Sequence, residues 1–167
     1  MTISNYDLII LAKKHNVRLS INDIVMSDEL NLLRKRKHMN IIINSKPTGN
    51  AGRHWVCLLV RNDYAFYFDS FGAINDDNVF NFCKKHSLHL AQNTWIVQNI
   101  NSTQCGRFCF ALMKYEKDEK IPKDTPLEFP SELTLYEKCN NFINMFVSDT
   151  RKSDALLNKY LGSRQFS

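Results

Sequence analysis

No run of ~18 apolar residues occurs in this chain, which excludes a membrane-crossing helix on length alone. C-x-x-C pairs and His-x-x-x-His spacing are also missing. The five cysteines, at 57, 83, 105, 109 and 139, are an odd number without paired spacing. That argues against a disulfide scaffold and a zinc site, and it favours a reducing compartment in which a thiol stays active. Met1 to Asp7 holds no basic n-region and no small-residue cleavage site, so secretion is not expected. Nor is there an internal repeat, a low-complexity tract or an interdomain linker. Zinc-finger, aromatic-interleaved basic and glycine-rich phosphate-loop patterns are missing too.

What is present suffices for one packed domain covering residues 1–167, with 44% hydrophobic content. The formal charge is +5, much of it in Arg34-Lys35-Arg36-Lys37-His38 and at Lys13, Lys14, Lys84 and Lys85. A basic run this short is ordinarily a solvated face. Its sharper reading is a polyanion footprint, with Arg34, Lys35, Arg36 and Lys37 as candidate nucleic-acid contacts.

Local signals order the chain. Ser4-Asn5-Tyr6-Asp7 reads as a capping box before an amphipathic helix ending near His15-Asn16. Ser27-Asp28-Glu29 caps a short helix over Leu30, Leu32 and Leu33. Met39 to Ile43 is β-branched and reads as a strand. The strongest loop signal, Asn44 to Gly52, delivers the chain to His54. Trp55 to Val60 is continuously apolar, as for a strand buried on both faces, and Arg61-Asn62-Asp63 turns it back into Tyr64 to Phe68. Asp76-Asp77 opens a helix carrying Val79, Phe80, Phe82 and Cys83. Thr94 to Val97 reads as a further strand, followed by a helix starting at Cys105. A proline-containing loop, Lys117 to Pro130, precedes helices over about Thr134 to Val147 and Thr150 to Leu161. The expected class is α+β, a central mixed sheet flanked by helices.

Within Gln98-Asn99-Ile100-Asn101-Ser102-Thr103-Gln104-Cys105-Gly106, a polar loop places a cysteine at a helix start. Unpaired N–H groups and the positive end of the helix dipole favour thiolate there. A thiolate nucleophile needs an imidazole partner, and His54, at a strand start beside Trp55, is the best placed. His15 ends a helix, His38 lies in the basic run, and His86 and His89 follow a lysine pair. Asp69 ends the strand that the 61–63 turn returns alongside His54, fifteen residues away, where it can orient an imidazolium. Gln98, seven residues before Cys105, supplies a side-chain N–H₂. With the Cys105 backbone N–H it makes an oxyanion hole, each donor typically worth ~3 kcal/mol. Gly106 leaves room for a substrate backbone near the sulfur. Each residue alone has a plain structural reading, a buried thiol, a surface histidine or a turn aspartate. Cys57, Cys109 and Cys139 belong to apolar faces and are expected in the core, as is Trp55 in the first instance. Together, His54, Asp69, Gln98 and Cys105 describe a cysteine protease.

Gly52-Arg53-His54-Trp55, Tyr67-Phe68-Asp69-Ser70-Phe71-Gly72 and Gln98-x6-Cys105-Gly106-Arg107-Phe108-Cys109 resemble the adenovirus-type maturation proteases, adenain and its relatives in virophages and Polinton-type elements. The similarity covers most of the chain, and its motifs are specific in combination. It implies a papain-like site of adenain type with His54, Asp69 and Cys105 as triad and Gln98 in the oxyanion hole. Asn44, Trp55 and Gly106 are then candidate substrate contacts. Aspartate stands at 69 where adenain has glutamate. The resemblance implies an endopeptidase that cuts capsid or core precursors at glycine-containing sites, in the virion and in the host-cell cytoplasm or viral factory. No metal and no required cofactor is expected from the residues, whereas the resemblance implies a DNA or peptide activator. Cys83 is a poor match to the cofactor-linking cysteine. The remaining expectations are a monomer, weak electrostatic DNA contact and no membrane. The alternatives are a protease of ubiquitin-like modifiers, from the same superfamily, and a non-catalytic basic binding module. The seven-residue Gln98 spacing favours the viral group, and the intact site residues speak against the module.

Overall fold

The computed structural model describes residues 3–45, 54–73, 77–119 and 131–162, with side chains 131–133 left aside. Most of the glycine-rich loop, Asp76 and the proline-containing 120–130 stretch lie outside the described residues.

Ser4 caps helix α1 (Asn5–His15) in a reciprocal box with Asp7, as its sequence predicts. Five strands follow in one mixed sheet: β1 (Ile24–Met26), β2 (His38–Ser45), β3 (His54–Arg61), β4 (Tyr64–Phe68) and β5 (His89–Gln92). They lie in sequence order, with β2–β3 and β3–β4 antiparallel and the outer pairs parallel. Helix α2 (Asp77–Lys85) connects β4 to β5, and α3 (Cys105–Asp118), α4 (Ser131–Asn144) and α5 (Ser153–Leu161) complete the order.

Alternation along β2 and β3 sorts the core into two layers. Ile42, Trp55, Cys57 and Leu59 pack with α1, α3, α4 and α5. Ile41, Ile43, Val56, Leu58 and Val60 face Leu30 and the Val79, Phe82 and Cys83 side of α2. Both faces of β3 are therefore covered, which explains its unbroken apolar sequence. Cys57, Cys109 and Cys139 sit in the helix-side layer, as expected.

The expected α+β class is the one observed, with local differences. The expected short helix is the 3₁₀ helix Ser27–Leu32, but its leading cap is Met26, whose N–H donates to Glu29, rather than Ser27. Ile24–Met26 and His89–Gln92 are strands that the sequence left unmarked, one too short and the other too polar to stand out. Thr94 to Val97 is not a strand. β5 has already paired with β4 through Tyr67↔Gln92, and the Asn93 side chain takes over at the strand end. Its Nδ2 donates to the carbonyls of Asp69 and Trp95, and its Oδ1 accepts the Asp69 N–H. The chain leaves the sheet there, so Trp95 and Ile96 are exposed despite their β propensity. α4 ends at Asn144 rather than Val147. α5 begins at Ser153 after a separate 3₁₀ turn, Thr150–Lys152, capped by Asp149.

Candidate active site

His54 is the first residue of β3, and Asp69 follows the last residue of β4. The 62–63 turn, with Asn62 in the left-handed region, joins the two strands so that these ends meet. His54 Nε2 lies 2.8 Å from Asp69 Oδ1. The Phe71 N–H donates to the same Oδ1 at 2.9 Å, and Asn93 holds the Asp69 main chain on both sides. A tight turn follows, in which Gly72 N–H donates to Asp69 C=O at 2.8 Å. Gly72 has φ +70°, and an added Cβ would come 3.0 Å from the Thr94 carbonyl. Glycine thus lets the Asp69 turn and the 94–95 segment touch.

Cys105 opens α3, and its sulfur accepts the Trp55 backbone N–H at 3.3 Å. Cys105 lies near enough to the His54 ring to act on its protonation together with Asp69. With Nε2 engaged by Asp69, Nδ1 is the nitrogen left for the sulfur. Burial pulls the His54 pKa down, but the Asp69 hydrogen bond and the influence of the Asp69 and Cys105 side chains outweigh it, raising it to about 9. The imidazole is therefore protonated at neutral pH, the counter-charge that a neighbouring thiolate requires. Cys105 itself is 4% exposed.

Gln98 is buried between two anchors. Ser70 Oγ donates to its Oε1, and its Nε2 donates to the Ser102 carbonyl at 2.8 Å. An amide nitrogen carries two hydrogens, so one remains beyond the Ser102 bond. Ser70 also accepts the N–H groups of Val97 and Gln98 on its carbonyl, tying the glutamine to the Asp69 turn.

Neighbouring side chains hold the cysteine segment. Arg107, buried, donates to Gln104 Oε1 at 3.0 Å and to Asn158 Oδ1 at 2.6 Å. Ser102 Oγ donates to Asp154 at 2.8 Å. Asp154 and Asn158 are one turn apart on α5, so one face of that helix grips residues 102–107 from two points. Removing the grip should loosen the nucleophile rather than the substrate. The variant Asn158→Ala is expected to lower kcat about tenfold with KM nearly unchanged, measured on a peptide substrate.

Sequence reasoning missed Ser70, Asn93, Ser102, Arg107, Asp154 and Asn158, and it took Gln104 for plain loop. Only the position of Ser70, beside the strand-end aspartate, hinted at a role. The others act through contacts between segments distant in sequence.

Asn44 and Trp55 face each other across β2 and β3, and both are buried. Asn44 Oδ1 and Trp55 Nε1 have no hydrogen-bond partner among the described residues. The expected space at Gly106 is filled: an added Cβ would run into the Ile3 side chain and come 3.1 Å from Trp55 Cδ1. Gly106 therefore allows α3 to pack closely on Trp55 and Ile3 and opens no room for substrate. The basic run is partly consumed by ion pairs. Arg36 grips both oxygens of Asp23 at 2.7 and 2.8 Å, and Lys35 lies 3.6 Å from Asp63. All five cysteines are free and buried. Burial pushes Cys83 up to about 12, and Cys109 and Cys139 well above the ordinary thiol value.

No protein-family model matches the sequence, and no curated protein matches it. Among solved structures, the crystal structure of the ASFV pS273R protease is similar, with a TM-score of 0.54 at 13% identity. The alignment covers 87% of this chain and 67% of that one. The likeness is one of fold. At this identity it bears on the α+β fold alone.

Proposed function

We propose that this chain is a viral cysteine endopeptidase with Cys105 as nucleophile, His54 as acid and base, Asp69 as orienting carboxylate and Gln98 as oxyanion donor. One observation carries the reading: the Asp69–His54 hydrogen bond, with the imidazole raised in pKa by Asp69 and by Cys105, whose sulfur stands at the N-terminus of α3. The thiolate attacks the carbonyl carbon of the scissile bond. The Cys105 N–H and the second Gln98 Nε2 hydrogen stabilise the oxyanion. Collapse breaks the C–N bond as His54 gives its proton to the departing amine, leaving a thioester. His54 then takes a proton from water, whose hydroxyl displaces the sulfur and releases the acid.

Glycine at the cleavage site is supported by the 4% exposure of Cys105, since a narrow main chain reaches such a sulfur most readily. Capsid or core precursors as substrates, and action in the virion or viral factory, rest on the motif resemblance to adenovirus-type proteases. The test is mass-spectrometric mapping of new termini in precursors exposed to wild-type protein and to Cys105→Ala. Glycine-containing termini produced by wild-type alone are expected. Cleavage confined to conjugates of ubiquitin-like modifiers would reassign the substrate class and leave the chemistry in place.

A further inference from the structure

At the pole of the sheet opposite His54, β2 begins with His38 and β3 ends with Arg61, paired across the ladder. Eight-residue strands put this pole roughly 20 Å from the imidazole. A cavity of about 440 Å³ opens there, walled chiefly by Arg18, His38, Arg61, Glu116, Lys117 and Lys138. Among the described lining residues, four permanent cations meet one carboxylate.

The hydrogen bonds show which of these charges are spent. Glu116 is held at both oxygens by Arg61, at 3.0 and 2.8 Å. The other Arg61 N–H groups go to the Met39 and Val60 carbonyls and to Asn40 Oδ1. Lys117 covers the carbonyls of His15 and Asn16, so the negative end of α1 is already capped. Two cations are left. The Arg18 guanidinium, on an exposed residue, has no hydrogen bond or ion pair among the described residues. Lys138 spends one N–H on the Glu116 carbonyl at 3.2 Å and keeps two. His38 adds a buried Nδ1 that has no partner among the described residues.

We propose that this cavity binds a small anion carrying two or more phosphate groups, held by Arg18 and Lys138. Such a lining repels cations, and an unspent guanidinium fork matches phosphate oxygens in pairs. The volume is that of a small-molecule site. A nucleic-acid strand would require a groove with aromatic stacking surfaces, and among the described lining residues only His38 has a ring. The walls come from the segment after α1 and from β2, β3, α3 and α4, so an anion seated here ties five pieces of the fold together. It would stabilise the folded chain by mass action.

Sodium tripolyphosphate, titrated at constant ionic strength with chloride as reference, tests this in calorimetry and thermal unfolding. Wild-type protein is expected to bind saturably with a rising Tm. The double variant Arg18→Gln/Lys138→Gln should lose about tenfold or more in affinity. Arg34→Gln/Lys37→Gln, which alters the exposed basic run, should keep wild-type affinity. Failure of wild-type protein to bind saturably would overturn the proposal. Equal losses in the two double variants would do the same by showing general surface attraction. Displacement of tripolyphosphate by a tighter-binding duplex oligonucleotide would overturn the small-ligand assignment.

Discussion

Replacing Cys105 with alanine is expected to abolish proteolysis while leaving the fold in place. The nucleophile is the one group for which no neighbour can substitute, and losses on removing such a group reach about 10⁴-fold or more. The structural cost is small, because the change deletes a single sulfur whose hydrogen bond is the one it accepts from the Trp55 N–H. The surrounding hydrogen bonds of Gln104, Arg107 and Asn158 do not involve it. Urea unfolding should therefore shift by no more than about 1 kcal/mol. Wild-type protein treated with iodoacetamide at neutral pH should carry its first adduct at Cys105. Cys83, Cys109 and Cys139 are held as thiols by burial. An alanine variant that still cuts, or a first adduct elsewhere, would remove Cys105 from its assigned role.

The parts of this molecule that could be read ahead are those in which local chemistry and tertiary need coincide. The capping box at Ser4, the apolar run of β3 and the 61–63 turn each state one conformation and are under no competing demand. His54, Asp69 and Cys105 belong to this group, because each stands at an element end that its neighbours announce. Thr94 to Val97 shows the opposite case. Its residues suit a strand, yet the position beside β4 is taken by the more polar His89–Gln92, whose register follows from the length of α2 and its turn. Propensity yields there to the order in which segments reach the sheet. Gly106 was legible as a close approach but not as to what approaches, since Ile3 comes from the far end of the chain. The Ser70, Asn93 and α5 contacts are likewise long-range side-chain bonds with no local periodicity to betray them.

The second large effect is expected at Asp69. Asn is nearly isosteric and its Oδ1 can still accept from His54 and from the Phe71 N–H, so Asp69→Asn removes the charge and keeps the shape. Activity should fall by about 10²- to 10⁴-fold. The pH profile should move in a direction the geometry dictates. In the wild type, burial lowers the His54 pKa, and Asp69 and Cys105 together raise it to about 9. Acting as general acid requires the imidazolium, so wild-type activity should decline as pH rises through about 9. Without the Asp69 charge, the downward pull of burial meets weaker opposition and the alkaline limb should shift to lower pH. Stability follows the same sign. A histidine whose folded pKa lies above its unfolded value of about 6.5 contributes fully below that pH and loses its contribution as pH rises through the folded value. Wild-type protein should accordingly lose stability on the order of 3 kcal/mol across this window, read by urea unfolding at a series of pH values. In Asp69→Asn that loss should shrink. An alkaline limb left unmoved by the substitution would mean that another group, and not the Asp69–His54 pair, governs the titration.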